Sequence, residues 1–209
     1  MKFLKKYNES KENKFFKTEI QVENWLNSMN VENYIIHDNL IVDVNGSVDI
    51  SGRNLSYLPV QFGIVYNNFY AYNNSLSSLE GFPYKIYGKL SCQENMINSL
   101  KFCPNQIGGK IDFSENFILS LKGFPKVIRN NSENILSFFE NPIELLLILT
   151  SKANYLKFIK YLNDYDVIEG NKIILNRLRE ALYMIDDDST FPYEKLYSKN
   201  ISQFYSISE

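Results

Sequence analysis

Three stretches decide the fold of this 209-residue chain: FYAYNNSLSSL (residues 69–79), LSCQENMINSL (90–100) and IDFSENFILSL (111–121). Each stretch begins 21 residues after the one before it, with apolar residues, an asparagine and a final leucine at matching positions. A fixed period of this length is the signature of a solenoid, in which each repeat is one unit stacked on the next. An earlier copy, VDISGRNLSYL (48–58), has Arg53 in place of the asparagine.

The repeat reads apolar-x-apolar-x-x-Asn-x-apolar-x-x-Leu, which is the leucine-rich-repeat pattern. Its apolar-x-apolar segment predicts a short strand with alternate side chains pointing inward, and stacked copies would form a parallel sheet. We expect the asparagine column, which contains Asn74, Asn95 and Asn116, to bond backbone groups left free at the turn. The apolar columns predict a continuous core.

A fifth copy, LSFFENPIELL (136–146), follows after a step of 25 residues, which predicts an insertion within residues 129–135. The return half of each repeat contains a proline in a sequence such as Gly81-Phe82-Pro83. It ends on an apolar residue in each copy, namely Val65, Ile86, Ile107 and Ile128. About ten residues with a proline leave no room for a full helix. We therefore predict an irregular or short helical-turn convex side.

Both ends of the repeat array need covering, because a terminal repeat exposes core. Helical spacing predicts a helix from about Thr18 to Met29, and Asn45-Gly46 predicts a hairpin turn between two apolar segments. After the repeats, Asn141-Pro142 predicts a helix start, with asparagine as the cap. Two more helices are predicted around residues 155–162 and 175–185, and the tail from Asp186 is predicted to be loosely held.

The sequence thus predicts an α+β repeat solenoid, a short leucine-rich-repeat parallel sheet of about five 21-residue units. It would be closed by an N-terminal helix and hairpin cap and by a C-terminal helical cap. The predicted divisions are a basic arm (1–17), the N-terminal cap (18–46), the leucine-rich repeats (47–147), and the C-terminal helical cap with its tail (148–209).

Composition narrows the classes of function. A net charge of -2 provides no strong field toward nucleic acid or anionic lipid. The first residues lack the apolar core of a signal peptide, and the longest apolar run, Leu145–Leu149, is too short to span a membrane. We expect a soluble protein of the cytoplasm with no membrane partner.

Residue types that carry chemistry are sparse. His37 is the only histidine and is far in sequence from both cysteines. Cys92 and Cys103 occupy inward columns of the repeat, which indicates small core residues rather than a reactive pair. The run Asp186–Asp188 lacks the spacing of a calcium loop. We predict no enzyme activity, no cofactor and no metal; an unrecognised activity is the remote alternative.

Three stretches carry a resemblance to a known family. They are Val42–Ile50 leading into Leu55–Gly63, then Asn73–Gly81, and last Asn141–Ile143 with Asn163–Ile168 and the leucine-rich helix that follows. Together they span most of residues 20 to 185, and they resemble the short leucine-rich-repeat proteins encoded by tailed phages. The resemblance implies a phage origin, the host cytoplasm as the location, and an interaction module without an active site.

The predicted site is the outward, concave face of the sheet. Its centre is expected to hold a patch of two tyrosines and four polar or acidic side chains: Tyr70, Tyr72, Gln93, Glu94, Asp112 and Glu115. Tyrosine is enriched at binding hot spots, and the carboxylates would repel phosphates. We therefore predict a host or phage protein as the partner, of basic or mixed charge, and not a nucleic acid. The alternatives are a structural component of a virion or a self-assembling array, and a sheet face that is merely solvated and binds nothing.

Overall fold

Every 21 residues the chain forms two short strands, one in each of two sheets. The structure, a computed structural model, describes residues 14–125, 127–128, 136–150, 155–185 and 190–209. Within these ranges the repeats form a β-solenoid of about four turns. The prediction of a repeat solenoid with parallel strands is therefore confirmed.

Sheet B holds the predicted repeat strands in parallel. They are β3 (Val48–Asp49), β5 (Phe69–Tyr70), β7 (Leu90–Ser91), β9 (Ile111–Asp112) and β11 (Leu136–Ser137). The 21-residue register holds from β3 to β9, and Leu136 then pairs with Ile111, which is the predicted step of 25. Parallel strands lie about 4.8 Å apart, so five of them span roughly 19 Å.

Sheet A forms the opposite side, where the prediction of an irregular return half was wrong. Its strands are β1 (Tyr34–Ile36), β2 (Ile41–Val44), β4 (Gln61–Val65), β6 (Lys85–Ile86), β8 (Gln106–Ile107) and β10 (Val127–Ile128). All pair in parallel except β1, which is antiparallel to β2. Val65, Ile86 and Ile107 are buried between the sheets. Two-residue strands are too short to show the alternation that predicts a strand.

The asparagine column forms the predicted ladder. Asn74 Oδ1 accepts from the backbone N–H groups of Arg53 (3.0 Å) and Leu55 (2.9 Å), while its Nδ2 donates to Ile50 O (3.0 Å) and Ala71 O (3.1 Å). Each amide therefore bridges its own turn and the preceding one. The same pattern recurs at the later positions Asn95, Asn116 and Asn141, all three buried.

Asn141 consequently has a different role from the one predicted. Its side chain accepts from Ile118 N (2.9 Å) and donates to Phe113 O (2.7 Å), so it belongs to the ladder and does not cap a helix. The short helix α2 begins at Glu144 and ends at Leu147, with no side-chain hydrogen bond at its N-terminus. The ladder position overrides the local Asn-Pro signal because the amide is buried and has tertiary partners.

The N-terminal helix α1 spans Glu19–Ser28, as the spacing predicted. Thr18 caps it, and Gln21 completes a capping box. Val22 and Leu26 are buried, and the Trp25 ring lies 6.3 Å from that of Phe62.

The predicted Asn45-Gly46 hairpin is wrong. The antiparallel partner of β2 is β1, and β2 itself pairs in parallel with β4, so it belongs to the solenoid. Asn45-Gly46 instead joins sheet A to sheet B. Asn67 N donates to Gly46 O (3.0 Å), Gly88 N to Asn67 O (3.0 Å) and Gly109 N to Gly88 O (2.8 Å). These bonds stack the corners of successive turns.

The C-terminal region contains helices α3 (Tyr155–Asp164) and α4 (Leu175–Tyr183), both as predicted. The three strands β12 (Ile168–Glu169), β13 (Lys172–Ile174) and β14 (Ser206–Ser208) form sheet C, and a 3-10 helix (Tyr193–Tyr197) and α5 (Lys199–Ser202) precede β14. In its described part, the tail is packed rather than loosely held. Leu196 and Ile201 are buried, and Tyr205 Oη donates to Leu119 O at 2.7 Å.

Replacing Asn95 by alanine is expected to lower the free energy of unfolding by about 2–3 kcal/mol, because the buried N–H of Leu76 loses its acceptor. Asn98→Ala is the matched control, since Asn98 is exposed on the same turn, and it should change stability by less than about 0.5 kcal/mol. Denaturant unfolding of the two variants measures both values. Equal effects would contradict a structural role for the ladder.

Gly108→Ala is expected to destabilise the solenoid by about 1–3 kcal/mol, because a Cβ atom there would overlap the carbonyl oxygen of Tyr87 on the preceding turn. Gly46→Ala is the control at the first corner, where a Cβ atom would meet nothing within 4 Å. Thermal melts of both variants test the close approach of the corners. A Gly108→Ala protein that melts with the parent would contradict it.

Candidate interaction face

Three columns of residues make up the outer surface of sheet B, called here the sheet B face. Two columns alternate with the buried positions, and the third follows the strands. They are Asp49, Tyr70, Ser91, Asp112 and Ser137, then Ser51, Tyr72, Gln93, Ser114 and Phe139, then Gly52, Asn73, Glu94, Glu115 and Glu140. The predicted concave face corresponds to this surface.

The third column has left-handed backbone geometry throughout. Its φ angles are 63° at Gly52, 53° at Asn73, 56° at Glu94, 53° at Glu115 and 58° at Glu140. Glycine and asparagine adopt this region easily, whereas glutamate there costs roughly 1 kcal/mol or more. Backbone bonds between turns hold the geometry, because Asn74 N donates to Glu94 O and Asn95 N to Glu115 O, both at 3.2 Å.

The sheet B face carries negative charge only. Five of its fifteen positions are carboxylates, and none is lysine, arginine or histidine. The chain as a whole has a net charge of -2, so the five negative charges of this face exceed the net charge of the molecule. A surface of one sign attracts partners of the opposite sign and steers their approach.

The six predicted site residues all lie on this face. Tyr70 and Asp112 share the first column, Tyr72 and Gln93 the second, and Glu94 and Glu115 are neighbours in the third. Glu94 and Glu115 are exposed, and the other four are half-buried.

Two of the six side chains, those of Asp112 and Gln93, accept hydrogen bonds within the chain. Asp112 Oδ1 accepts from Ser114 N (3.1 Å) and Ser114 Oγ (2.6 Å), and Gln93 Oε1 accepts from Ser91 Oγ (2.6 Å). Asp49 makes the same contacts to Ser51 in the first turn. Of the five carboxylates on this face, Asp112 is half-buried, whereas Asp49 and the three glutamates of the third column are exposed.

Two exposed apolar residues beside this face were missed by the sequence reasoning. Met96 and Phe117 have exposed fractions of 54% and 56%, and they lie one residue beyond the asparagine ladder in successive turns. Met96 N donates to Leu76 O and Phe117 N to Ile97 O, which keeps this position in register as well. The 21-residue alignment contained a signal for their exposure. Ser75 occupies the same position one turn earlier, and a column that holds a polar residue is expected to point outward.

The two cysteines and the single histidine, the other candidates for chemistry, have contacts that indicate structural roles. Both cysteines are buried and free, which confirms their prediction as core residues. His37 Nε2 lies 2.9 Å from Asp43 Oδ2, and Asp43 Oδ1 accepts from Ile64 N at 2.7 Å, so the pair ties the β1–β2 turn to β4.

Within the described ranges, no three His, Cys, Asp or Glu side chains gather as a possible metal site. The run Asp186–Asp188 lies outside the described residues.

No helix in the described part of the chain combines the length and the apolar character that crossing a membrane requires. The predicted basic arm lies largely outside the described residues, which begin at Lys14.

A shallow groove of about 390 Å³ in the C-terminal region is lined by Tyr165, Arg179, Glu180, Tyr183 and Met184.

Comparisons with protein families, with curated proteins and with solved structures gave no match.

Burial raises the pKa of the thiols of Cys92 and Cys103, and unfavourable electrostatic interactions of a Cys92 thiolate with Cys103 and Asp112 raise the pKa of Cys92 further. We expect neither thiol to react with a disulfide reagent in the native protein at about pH 8, while both react after denaturation. In the unfolded chain the thiols ionise near pH 8.5. The stability that the neutral, buried thiols contribute is therefore present below about pH 8.5 and is lost as the pH rises above it. Rapid stoichiometric labelling of the native protein would contradict this assignment.

Proposed function

We propose that this chain is a non-enzymatic protein-binding module whose sheet B face receives a basic surface of a partner protein. The observation that carries the proposal is the sign of the charge, since five carboxylates and no basic side chain occupy the fifteen positions of that face. Charge complementarity between two protein surfaces sets specificity and speeds association.

The rigidity of the face supports this function. Each turn of sheet B is bonded to the next through the strands, and the asparagine ladder lies directly behind the third column. The backbone of such a scaffold loses little conformational freedom on binding, which favours affinity. Tyr70 and Tyr72 add half-buried aromatic surface of the kind that is enriched at hot spots.

The class of solenoid and its origin belong to the same proposal. The repeated apolar-x-apolar-x-x-Asn pattern supports a leucine-rich-repeat solenoid closed by its terminal helices. The resemblance to phage-encoded repeat proteins supports a host or phage protein as the partner, met in the host cytoplasm.

Tyr72→Ala with Glu94→Ala is the decisive double variant. Neither side chain supports the core, so the melting temperature should stay unchanged while the affinity for the partner falls at least about tenfold, or 1.4 kcal/mol. Affinity capture from a lysate of the source cells, repeated at increasing salt, provides the measurement. Binding of the parent protein should weaken as salt rises.

Tyr57→Ala with Glu23→Ala is the matched control, because it removes an exposed tyrosine and an exposed glutamate that lie off the sheet B face. A partner captured by the parent and the control but lost from Tyr72→Ala/Glu94→Ala supports the proposal. Equal capture by all three proteins would place the interaction elsewhere, and no stoichiometric partner under any condition would contradict a binding function.

A further inference from the structure

We infer that the partner segment is an amphipathic, cationic α-helix that lies across the strands of sheet B, along the axis of the solenoid. This inference rests on the proposed function and names the element that the face receives. It is carried by two parallel rows beside the sheet, one acidic and one apolar.

The acidic row consists of Glu94, Glu115 and Glu140, which share the left-handed column and are all exposed. At the end of the row, the backbone N–H of Glu140 donates to Glu144 Oε2 at 2.9 Å, which keeps a fourth carboxylate close by. The apolar row consists of Met96 and Phe117, each two residues after a glutamate of the acidic row.

The spacing of the rows favours a helix over an extended segment. Successive members of each row are one solenoid step apart, about 4.8 Å. One turn of α-helix rises 5.4 Å, so a helix along the axis drifts only about 0.6 Å per step. An extended strand brings side chains to the same face every 6.8 Å or so, and would be about 2 Å out of step at each position.

Chemistry sets the two faces of the helix. Lysine or arginine side chains would pair with the acidic row, while an adjacent apolar stripe would cover Met96 and Phe117, which no other described element buries. Residues three or four apart on a helix form such neighbouring rows. A purely polar basic segment would satisfy the glutamates and leave the apolar pair in water.

The test uses two synthetic peptides of about 15 residues, long enough to form a helix. One has leucines at i, i+3, i+4 and i+7 with lysines between them, and the other is a scramble of the same composition. Titration calorimetry with the parent protein should show the patterned peptide binding at least about tenfold more tightly than the scramble.

Met96→Ser with Phe117→Ser should abolish that preference and leave the weaker binding of the scramble in place. Ile20→Ser with Tyr183→Ser is the matched control, because it removes two exposed apolar side chains elsewhere (68% and 78% exposed) and should keep the preference. Circular dichroism melts verify that each variant is folded.

Three results would overturn the inference. They are equal affinities of the parent for the two peptides, no binding of either peptide, and a preference that survives Met96→Ser/Phe117→Ser. A partner captured through Tyr72 and Glu94 would leave the proposed function standing in each case, so the two ideas fail separately.

Discussion

The rest of this structure depends on one side-chain amide per turn. A solenoid turn that leaves sheet B must bend sharply, and the bend leaves backbone N–H and C=O groups inside the molecule without strand partners. Asn95 supplies an acceptor to Leu76 of the preceding turn and donors to Ala71, Cys92 and Gln93. Because each amide reaches the turn before it, it also fixes the register in which the two turns stack.

That register determines which side chains are neighbours on the outer face of sheet B. Positions 21 residues apart become neighbours, so the outer face of sheet B is a grid whose columns can be read from the sequence. Inward columns are occupied by Phe69, Leu90 and Ile111, whose burial excludes water from the core. Exposed outward positions leave the carboxylates of Glu94, Glu115 and Glu140 in water, so their cost to the solenoid is that of the left-handed backbone rather than that of burying a charge.

Much of this arrangement could be predicted from the sequence, because the buried columns repeat. The 21-residue period gave the stacking of sheet B, the asparagine ladder and the displaced fifth strand. It did not give sheet A, because strands as short as Lys85–Ile86 show no alternation, and their formation depends on neighbouring turns. Asn45-Gly46 misled for a similar reason, since a local turn signal cannot distinguish a hairpin from a corner between two sheets.

The position of the candidate face could be predicted from the sequence, whereas the hydrogen bonds and backbone conformation of its residues could not. Register alone put Tyr70, Tyr72, Glu94 and Glu115 on one surface. It could not show that Asp112 is engaged by Ser114, or that the glutamates hold a left-handed backbone, because both depend on local conformation. For Met96 and Phe117 the polar Ser75 in the same column indicated an outward position, but their apolar side chains next to a core column are equally compatible with burial.

The hydrogen bond from Tyr205 to Leu119 has a consequence for the order of events during synthesis. The two residues are 86 positions apart in the chain. At roughly 5–20 residues per second, a ribosome makes Tyr205 about 4–17 s after Leu119. Through that interval the Leu119 carbonyl lacks the Tyr205 hydroxyl as its donor, and the fourth turn lacks the contacts of this later segment. A repeat array can grow one turn at a time, but this one is completed only when a much later part of the nascent chain folds back to it.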